Sequence, residues 1–268
     1  MRYELIPAHN PGPYTGAGNN TYLIPGEEPV LIDAGTGAPR HLEGVAEALA
    51  RTKSGRLARI LVTHAHVDHA SGVEALAVRW PEVTGWKMPW PERDARYWQA
   101  WHEIGDEELI RAGDRVLRAV HTPGHAPDHL CFFDEPSGLM FTGDLMVSGG
   151  TVMIPASAGG DLAAYLDSLR RVLALEPRRL LPAHGPVIDD PAALVRRYLD
   201  HRQQREDQIL AAVGAGADTI DRVVAEVYAG LDDALVSAAR ESVRAHLQKL
   251  CADGRVVSDG ERWESNDR

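Results

Sequence analysis

The segment Thr63-His64-Ala65-His66-Val67-Asp68-His69 constrains this chain more than any other stretch of its sequence. It directly follows a short, continuous apolar run, which is typical of a strand covered on both faces. On an extended backbone His64 and His66 project to one face, with Asp68 at the same parity. His69 lies where the chain should turn into a helix. Because four ionisable side chains this close would repel one another unless a cation compensates them, the segment predicts a metal site.

Three further candidate ligands lie where later apolar runs end. His125 lies in a tight turn after the run 116–120, Asp144 follows a glycine, and His184 precedes one. An apolar strand that stops at a glycine-flanked polar residue is typical of the loops that gather ligands at the edge of an open sheet. Each of these residues alone is ordinary loop chemistry. Together with the first cluster they predict a larger metal centre.

Short β-like runs alternate with helical runs over the first two thirds of the chain, which predicts an α/β fold. The predicted strands are 21–25, 29–33, 59–63, 116–120, 130–133, 139–142 and 179–182, and the predicted helices are 72–80, 162–173 and 191–213. Between them, the segment 80–101 is interpreted as a long, Pro-rich connection. Its tryptophans form either a substrate-binding wall or a small satellite core; they are Trp80, Trp86, Trp90, Trp98 and Trp101.

The character of the chain changes at Gly214-Ala215-Gly216-Ala217, which predicts a catalytic domain at 1–213 and a second domain at 217–268. In the second domain, helical runs at 219–229 and 234–253 precede a short hairpin, and this order resembles a winged helix-turn-helix. Such a fold suggests DNA binding. Seven basic residues against eleven acidic ones oppose it, because they leave a net charge of −4. We therefore expect a packing or dimerising appendage and no DNA partner.

The amino-acid composition further limits the possible classes of function and partner. The 268 residues carry 28 Lys and Arg against 39 Asp and Glu, and the formal net charge of −11 repels polyanions at long range. Two cysteines, Cys131 and Cys251, are too few for a disulfide framework or a Cys-rich zinc module. The chain has no run apolar enough for a membrane helix, and its start lacks the apolar core of a signal peptide. We expect a cytoplasmic protein without a membrane partner.

Taken in chain order, these motifs resemble those of the metallo-β-lactamase-fold hydrolases. Asp33 in Leu31-Ile32-Asp33-Ala34-Gly35 matches the first aspartate of that superfamily, which is not a ligand. A narrower likeness covers nearly the whole chain and points to the β-lactamase-like group that includes mitochondrial endoribonucleases and fungal thioesterases. The segments that carry it are Asn10-Pro11-Gly12-Pro13, Asn20-Thr21-Tyr22-Leu23, His184-Gly185-Pro186-Val187-Ile188 and His201-Arg202…Arg205-Glu206…Gln208-Ile209-Leu210.

This resemblance implies an αββα sandwich with the site along one edge of the two sheets, followed by a winged-helix tail. It also implies two metal ions per chain. The first would be held by His64, His66 and His125. The second would be held by Asp68, His69 and His184, with Asp144 bridging the pair. These ligands suit Zn²⁺, with Mn²⁺ or Fe²⁺ as alternatives.

The expected chemistry is hydrolysis, because two cations about 3.5–4 Å apart lower the pKa of a water between them and supply hydroxide near neutral pH. No Ser or Cys nucleophile is then needed, and Asp68 would orient the hydroxide or receive its proton. We favour a small or carrier-bound acyl substrate, such as a thioester, ester or lactone. Dedicated β-lactamase activity is less expected, because true zinc β-lactamases generally lack the carboxylate that Asp144 supplies.

Three other functions stay open at this point. The first is a single-strand endoribonuclease, which the whole-chain likeness favours and the net charge opposes. The second is a DNA-binding regulator with a metal sensor, which would need a basic face on the helical run 234–253. The third is a mononuclear iron dioxygenase that uses His64, His66 and His125 alone. The sequence leaves the oligomeric state undecided, with a homodimer as the prior.

Overall fold

The computed structural model describes residues 1–12, 15–97 and 100–266. Its strands are β1 (Glu4–Pro7), β2 (Asn20–Ile24), β3 (Val30–Ile32), β4 (Arg59–Leu61), β5 (Thr84–Lys87), β6 (Trp101–Glu103), β7 (Leu109–Ala112), β8 (Arg115–His121), β9 (Leu130–Asp134), β10 (Leu139–Gly143), β11 (Arg179–Pro182), β12 (Val256–Ser258) and β13 (Trp263–Ser265). Its helices are α1 (Pro39–Ala50), α2 (Val67–Ala70), α3 (Gly72–Arg79), α4 (Pro91–Asp94), α5 (Leu162–Ala174), α6 (Pro191–Gly214), α7 (Ile220–Val227) and α8 (Val236–Ala252), with 3-10 turns at Ala156–Ala158 and Asp233–Leu235. Within these described ranges, no helix combines the length and the apolar character that crossing a membrane requires.

The chain divides into two compact units, each assembled from separate segments. The sheet unit comprises Met1–Thr122, Asp128–Thr151 and Val172–Pro191, and the helical unit comprises Pro123–Pro127, Val152–Arg171 and Ala192–Arg268. The domain boundary between residues 213 and 217 stays a prediction.

The sheet unit contains two sheets. The first has the order β1-β2-β3-β4-β5-β6, antiparallel from β1 to β3 and parallel from β3 to β6. The second has the order β11-β10-β9-β8-β7, with a parallel pair at β10 and β11 and antiparallel pairs elsewhere. Fully buried side chains from both sheets form a shared core, including Tyr22, Ile32, Phe132, Phe141 and Leu181. The predicted α/β fold class is confirmed.

The opposite face of the first sheet is covered by α1 and α3. Val45 and Leu49 of α1 and Val73 of α3 belong to the same buried cluster as Leu31 and Ile60 of the sheet. Since β3 and β4 are therefore buried on both faces, their sequences are continuous apolar runs rather than alternating ones. This is the environment that the run before the histidine cluster predicts.

The segment 80–101 corrects one expectation, because it is not an irregular connection. It contains β5 and α4 and ends where β6 begins, so it completes the parallel edge of the first sheet. Trp80 and Trp101 pack on the helix-covered core, and Trp86 stacks on His102 with ring centroids 4.8 Å apart. These three are packing residues, whereas Trp90 lies near the histidine cluster and Trp98 lies outside the described residues.

The helical unit contains the winged helix that the sequence predicts. Its core joins Ile209 and Val213 of α6 to Val223 of α7 and Leu247 of α8, and β12 pairs with β13 as the wing. The C-terminus of α6 is capped by a backbone hydrogen bond. The N–H of Ala217 donates to the carbonyl of Ala212 at 3.0 Å, a bond typical of a helix C-terminus that closes on a left-handed glycine.

A buried carboxylate connects α6 to the winged helix. Glu206 of α6 is 3% exposed, and its oxygens lie 2.9 Å from Lys249 Nζ of α8 and 3.2 Å from Arg255 Nη1 before the wing. The nearby His246, whose Nδ1 lies 3.9 Å from Glu206 Oε2, and Lys249 together overcome the effect of burial and lower the pKa of Glu206 from its usual 4.5 to about 2. These ion pairs give the His201–Leu210 motif a structural role.

We expect Glu206→Gln to destabilise the protein by about 1–3 kcal/mol near neutral pH, because the substitution removes the charge and keeps the shape. A carboxyl group with a lowered pKa in the folded state stabilises above its unfolded pKa and loses that effect as the pH falls. The difference in unfolding free energy between wild type and variant should therefore be constant above pH 5 and shrink between pH 4.5 and 2. Urea unfolding at several pH values measures it, and a difference that does not change with pH would contradict this role.

Candidate metal centre

The candidate centre lies at the carboxyl ends of neighbouring strands in the sheet unit. Asp33 follows β3, the histidine segment follows β4, Asp144 follows β10 and His184 follows β11 by two residues. The parallel pairs β3–β4 and β10–β11 bring these ends together, because the carboxyl ends of parallel strands share one edge. Residues that are far apart in sequence therefore meet.

His64 and His66 face each other, with His64 Nε2 and His66 Nδ1 2.9 Å apart. His64 is fully buried, whereas His66 is partly exposed. His64 Nδ1 lies 3.1 Å from the hydroxyl oxygen of Thr63, so a proton on Nδ1 would be donated there and the Nε2 lone pair would point towards His66. Two nitrogens converging on one point suit a shared cation.

A second group of ligand atoms lies beside the first. Ligand atoms of Asp68, His69 and His184 all lie within 4.8 Å of one another, and so do those of His64, His69 and Asp144. His69 Nε2 is 3.4 Å from Asp68 Oδ2 and 3.4 Å from Asp144 Oδ1. His184 Nε2 is 3.2 Å from Asp144 Oδ1. Asp144 thus stands between the two imidazoles.

One local expectation is wrong, because Asp68 does not continue the extended backbone of His64 and His66. The chain turns earlier than predicted, and α2 begins at Val67 with His66 as its N-cap residue. Asp68 and His69 are consecutive residues of one helical turn, so their side chains leave the backbone in different directions. The turn brings both towards His184, which the extended geometry would not.

The carboxylate of Asp33 holds residues of the cluster in position through hydrogen bonds. It is buried and accepts hydrogen bonds from the N–H of Thr63 at 2.8 Å, from the Thr63 hydroxyl at 3.0 Å, and from His69 Nδ1 at 2.8 Å. The Nδ1 proton of His69 is fixed in this way, so Nε2 is the nitrogen available to a metal. Asp33 has a left-handed backbone with φ of 61°, a strained conformation that the neighbouring strands maintain.

The loop that presents Asp144 depends on a glycine and a histidine. Gly143 has φ of 46°, and a Cβ there would lie 2.8 Å from both His129 Nε2 and Thr63. His129 is fully buried, and its Nε2 accepts the backbone N–H of Asp144 at 3.1 Å. Its Nδ1 lies 2.8 Å from the Thr122 hydroxyl. His129 therefore supports the loop that presents Asp144.

His125 belongs to the helical unit, in the segment Pro123–Pro127. Its Nδ1 lies 2.9 Å from the carbonyl oxygen of Met153, an arrangement that directs Nε2 outward as the ligand nitrogen. Its place in the first metal site stays a prediction from the sequence motif.

The electrostatic environment of the cluster favours a bound cation. Although burial opposes it, the carboxylates of Asp68, Asp144 and Asp33 raise the pKa of His69 well above its usual value. Against the same effect of burial, the neighbouring carboxylates of Asp144 and Asp68 raise the pKa of His184 to about 9. Protons here take the place that a divalent cation would fill. Imidazole nitrogens with carboxylate oxygens fit Zn²⁺, Mn²⁺ or Fe²⁺.

Sequence reasoning missed an asparagine clamp on this cluster. Asn19, 1% exposed, donates its amide N–H to Asp68 Oδ2 at 3.0 Å. Asn10 fixes the direction of that amide, because its side-chain N–H₂ donates to Asn19 Oδ1 at 2.8 Å and its side-chain oxygen accepts the Asn19 backbone N–H at 2.9 Å. Asn20 donates to the carbonyls of Pro182 and Gly185, on either side of His184.

It also missed a buried ion pair behind the two histidines. Lys87 and Asp128 are both essentially buried, and Lys87 Nζ lies 3.0 Å from Asp128 Oδ2. The same oxygen accepts the N–H of Ala65 at 2.9 Å, and the Tyr97 hydroxyl donates to the carbonyl of Ala65 at 2.7 Å. Both backbone polar groups of the residue between His64 and His66 are thereby held in place. No local sequence pattern marks these partners.

Comparison with known proteins agrees with this architecture. Residues 14–184 match the family described as the metallo-beta-lactamase superfamily, and residues 219–263 match the beta-lactamase associated winged helix domain. The chain is 33% identical to an atrochrysone carboxyl ACP thioesterase of Aspergillus chevalieri, over 96% of this chain and 83% of the relative. A metallo-beta-lactamase family protein of Thermus thermophilus shares the fold, with a TM-score of 0.81, 22% identity and 98% of each chain covered. A second solved protein, in a di-iron-bound form, has a TM-score of 0.57 and 27% identity over 70% of this chain and 96% of its own.

The two-sheet fold with its histidine and aspartate cluster defines a metallo-beta-lactamase-fold hydrolase. The chain belongs to the metallo-beta-lactamase superfamily and carries a C-terminal beta-lactamase-associated winged helix domain.

We expect Lys87→Met to lower the free energy of unfolding by about 3–5 kcal/mol, because it leaves the carboxylate of Asp128 buried without its cation. Lys53→Met, at an exposed lysine, is the matched control and should change stability by less than about 0.5 kcal/mol. Urea unfolding measures both. The double variant with Asp128→Asn should lose less than the sum of the two single losses, and simple additivity would show that the pair does not interact.

We expect Asn19→Ala to weaken metal binding by about 10–100-fold, because Asp68 loses the donor that orients it. Asn10→Ala should also weaken metal binding, because the side-chain amide of Asn19 is then free to rotate. Competition with a chromophoric chelator measures the affinity. Asn266→Ala, at an exposed asparagine of the winged helix, is the control, and an affinity in Asn19→Ala equal to that control would rule out the clamp.

Proposed function

We propose that this chain hydrolyses small or carrier-bound acyl compounds, with thioesters, esters and lactones as the substrate class. The observation that carries the proposal is the convergence of Asp68, His69, His184 and Asp144 at one sheet edge. The name of the Aspergillus relative, a carboxyl ACP thioesterase aligned over nearly the whole chain, supports a thioester in particular. A cytoplasmic location and a homodimer stay predictions.

We propose two metal ions per chain, with Zn²⁺ as the expected ion. His64, His66 and His125 would hold the first, and Asp68, His69 and His184 the second. Asp144 would bridge them, which accords with its place between His69 and His184. Mn²⁺ or Fe²⁺ fits the same donors, and the di-iron-bound form of one solved neighbour supports iron as an alternative.

When bound, the metals supply an activated water and polarise the acyl oxygen. The residues of the chain then arrange the reaction around them. Asp68 is a quarter exposed, the most open carboxylate among Asp33, Asp68 and Asp144, so it is the group placed to receive a proton from an incoming water. Asn19 holds one oxygen of Asp68, which orients the other. His129 and Gly143 keep Asp144 in place.

RNA cleavage is the runner-up, and DNA binding by the tail is last. The net charge of −11 provides no long-range attraction for either polymer. In the tail, each arginine and lysine from Arg222 to Arg262 lies within ion-pair distance of a carboxylate. On α8 these cations are Arg240, Arg244 and Lys249, so the helix that would enter a DNA groove offers few cations for phosphate.

The test combines metal analysis with turnover on one preparation. We expect two metals per chain and hydrolysis of acyl thioesters, both reduced in Asp144→Asn, with turnover falling at least 100-fold because the bridging charge is lost. Glu43→Gln, an exposed acid on α1, is the matched control and should behave as wild type.

A labelled single-stranded RNA is assayed in parallel. RNA cleavage that Asp144→Asn abolishes would replace the acyl proposal with the nuclease. One iron per chain with oxygen consumption would favour the dioxygenase, and the absence of metal and of turnover after reconstitution would refute the hydrolase proposal.

A further inference from the structure

Exposure is uneven along the histidine segment. His64 and His69 are fully buried, whereas His66 and Asp68 are partly exposed and Val67 between them is 60% exposed. A substrate that reaches the cluster across this segment must pass over the residues 66–68. A substrate that enters this way also contacts the side chains that flank the stretch.

Trp90 and Arg93 flank this stretch. The indole ring of Trp90 lies 6.4 Å from the His66 ring, and the guanidinium carbon of Arg93 lies 5.1 Å from the Trp90 ring. A guanidinium at this distance from an indole is held by cation–π attraction while its N–H donors stay available. Trp90 is 8% exposed, whereas Arg93 is partly exposed and accessible from solvent.

The acids around Arg93 are engaged elsewhere. Asp94 pairs with Lys87 Nζ at 2.7 Å and accepts the backbone N–H of Trp90 at 2.7 Å. Glu92 accepts the indole N–H of Trp90 at 2.9 Å. Among residues 1–12, 15–97 and 100–266, Arg93 has no carboxylate within ion-pair distance. Arg93 therefore carries a positive charge without a paired carboxylate in the described part of a strongly acidic protein.

Tyr97 also contacts the histidine segment. Burial raises the pKa of the Tyr97 hydroxyl to about 12, and the charge of Arg93 is the first effect that opposes the rise. The Tyr97 hydroxyl donates to the carbonyl of Ala65 at 2.7 Å. The position of Arg93 beside the His64–His66 segment rests on its contact with Trp90, whose ring lies near that of His66.

We propose that Arg93 is a specificity-determining residue that binds an anionic group on the acyl substrate. The inference rests on the proposed acyl hydrolase function and narrows its substrate class to anionic acyl compounds. A planar guanidinium matches a phosphate or a carboxylate through two parallel hydrogen bonds. The anion is either the phosphate of a phosphopantetheine arm, as in a carrier-bound thioester, or a carboxylate on the acyl chain. In a protein with a net charge of −11, this residue supplies the local attraction that such a substrate needs.

The experiment uses matched thioesters that differ by one charged group. Pantetheine and 4′-phosphopantetheine thioesters of the same neutral acyl group test the phosphate, and neutral and ω-carboxyl acyl thioesters of pantetheine test the carboxylate. We expect wild type to prefer the anionic member of at least one pair. Arg93→Gln should raise KM for that member about 5- to 20-fold with kcat nearly unchanged, and should leave the neutral member within about twofold.

Two variants separate charge from packing. Arg93→Lys keeps the charge and should retain more of the preference than Arg93→Gln. Arg96→Gln, at an exposed arginine three residues further on, should behave as wild type. The preference of wild type should also weaken as salt is added. An equal loss on charged and neutral thioesters, or a wild type without any preference, would overturn the role of Arg93.

A binding measurement keeps this inference separate from the proposed function. Calorimetry compares 4′-phosphopantetheine and a short dicarboxylic acid monoamide with neutral pantetheine, on wild type and on Arg93→Gln. Tighter binding of an anionic probe, lost in Arg93→Gln, would support the anion site even if no thioester is hydrolysed. Hydrolysis of thioesters without any difference between the probes or between the variants would leave the hydrolase proposal standing and refute the anion site.

Discussion

The buried carboxylate of Asp33 is the interaction on which the site depends. It ties the end of β3 to the segment after β4 through Thr63, and it fixes His69 through Nδ1. Because the Thr63 hydroxyl donates to Asp33, its oxygen can accept the Nδ1 proton of His64, so one carboxylate orients two imidazoles. A buried charge and a left-handed backbone are both costly. They persist because two adjacent parallel strands, covered on both faces, hold the residue in place.

The other candidate ligands are also held by supporting residues around them. Each of these groups is held by a partner that is itself buried or hydrogen-bonded: Asp68 by Asn19, the Asp144 loop by His129, and the His64–His66 segment by Asp128 with its partner Lys87. Such partners orient ligands before the metal arrives and restrict the motion of their side chains. The neighbouring carboxylates raise the pKa values of His69 and His184, so protons on these imidazoles offset the carboxylate charge where a bound cation would do so.

The cations of the winged helix and Arg93 differ in their partners. In the helical unit the cations of the winged helix pair with acids of the same unit, and Glu206 collects two of them. In the sheet unit the acids near the cluster serve as candidate ligands or pair with Lys87, and Arg93 is left without a carboxylate among the described residues. The cations of the winged helix therefore take part in internal ion pairs, whereas Arg93 carries a positive charge that no carboxylate of the described residues pairs with.

Much of this protein could be predicted from its sequence alone, and what could be predicted is local. Apolar runs marked the strands, since burial on both faces leaves no alternation, and the spacing of histidines and aspartates marked the ligands. The prediction at Val67 was wrong because these six residues are compatible with both an extended and a helical backbone, and tertiary packing selects between the two. Asn19 and Asp68 are 49 residues apart, and Ala65 and Asp128 are 63 apart. Asparagine and lysine have no spacing rule that announces such contacts, so tertiary structure alone decided which side chains support the ligands. It also decided that Arg93, which packs on Trp90, has no carboxylate within ion-pair distance in the described part of the chain.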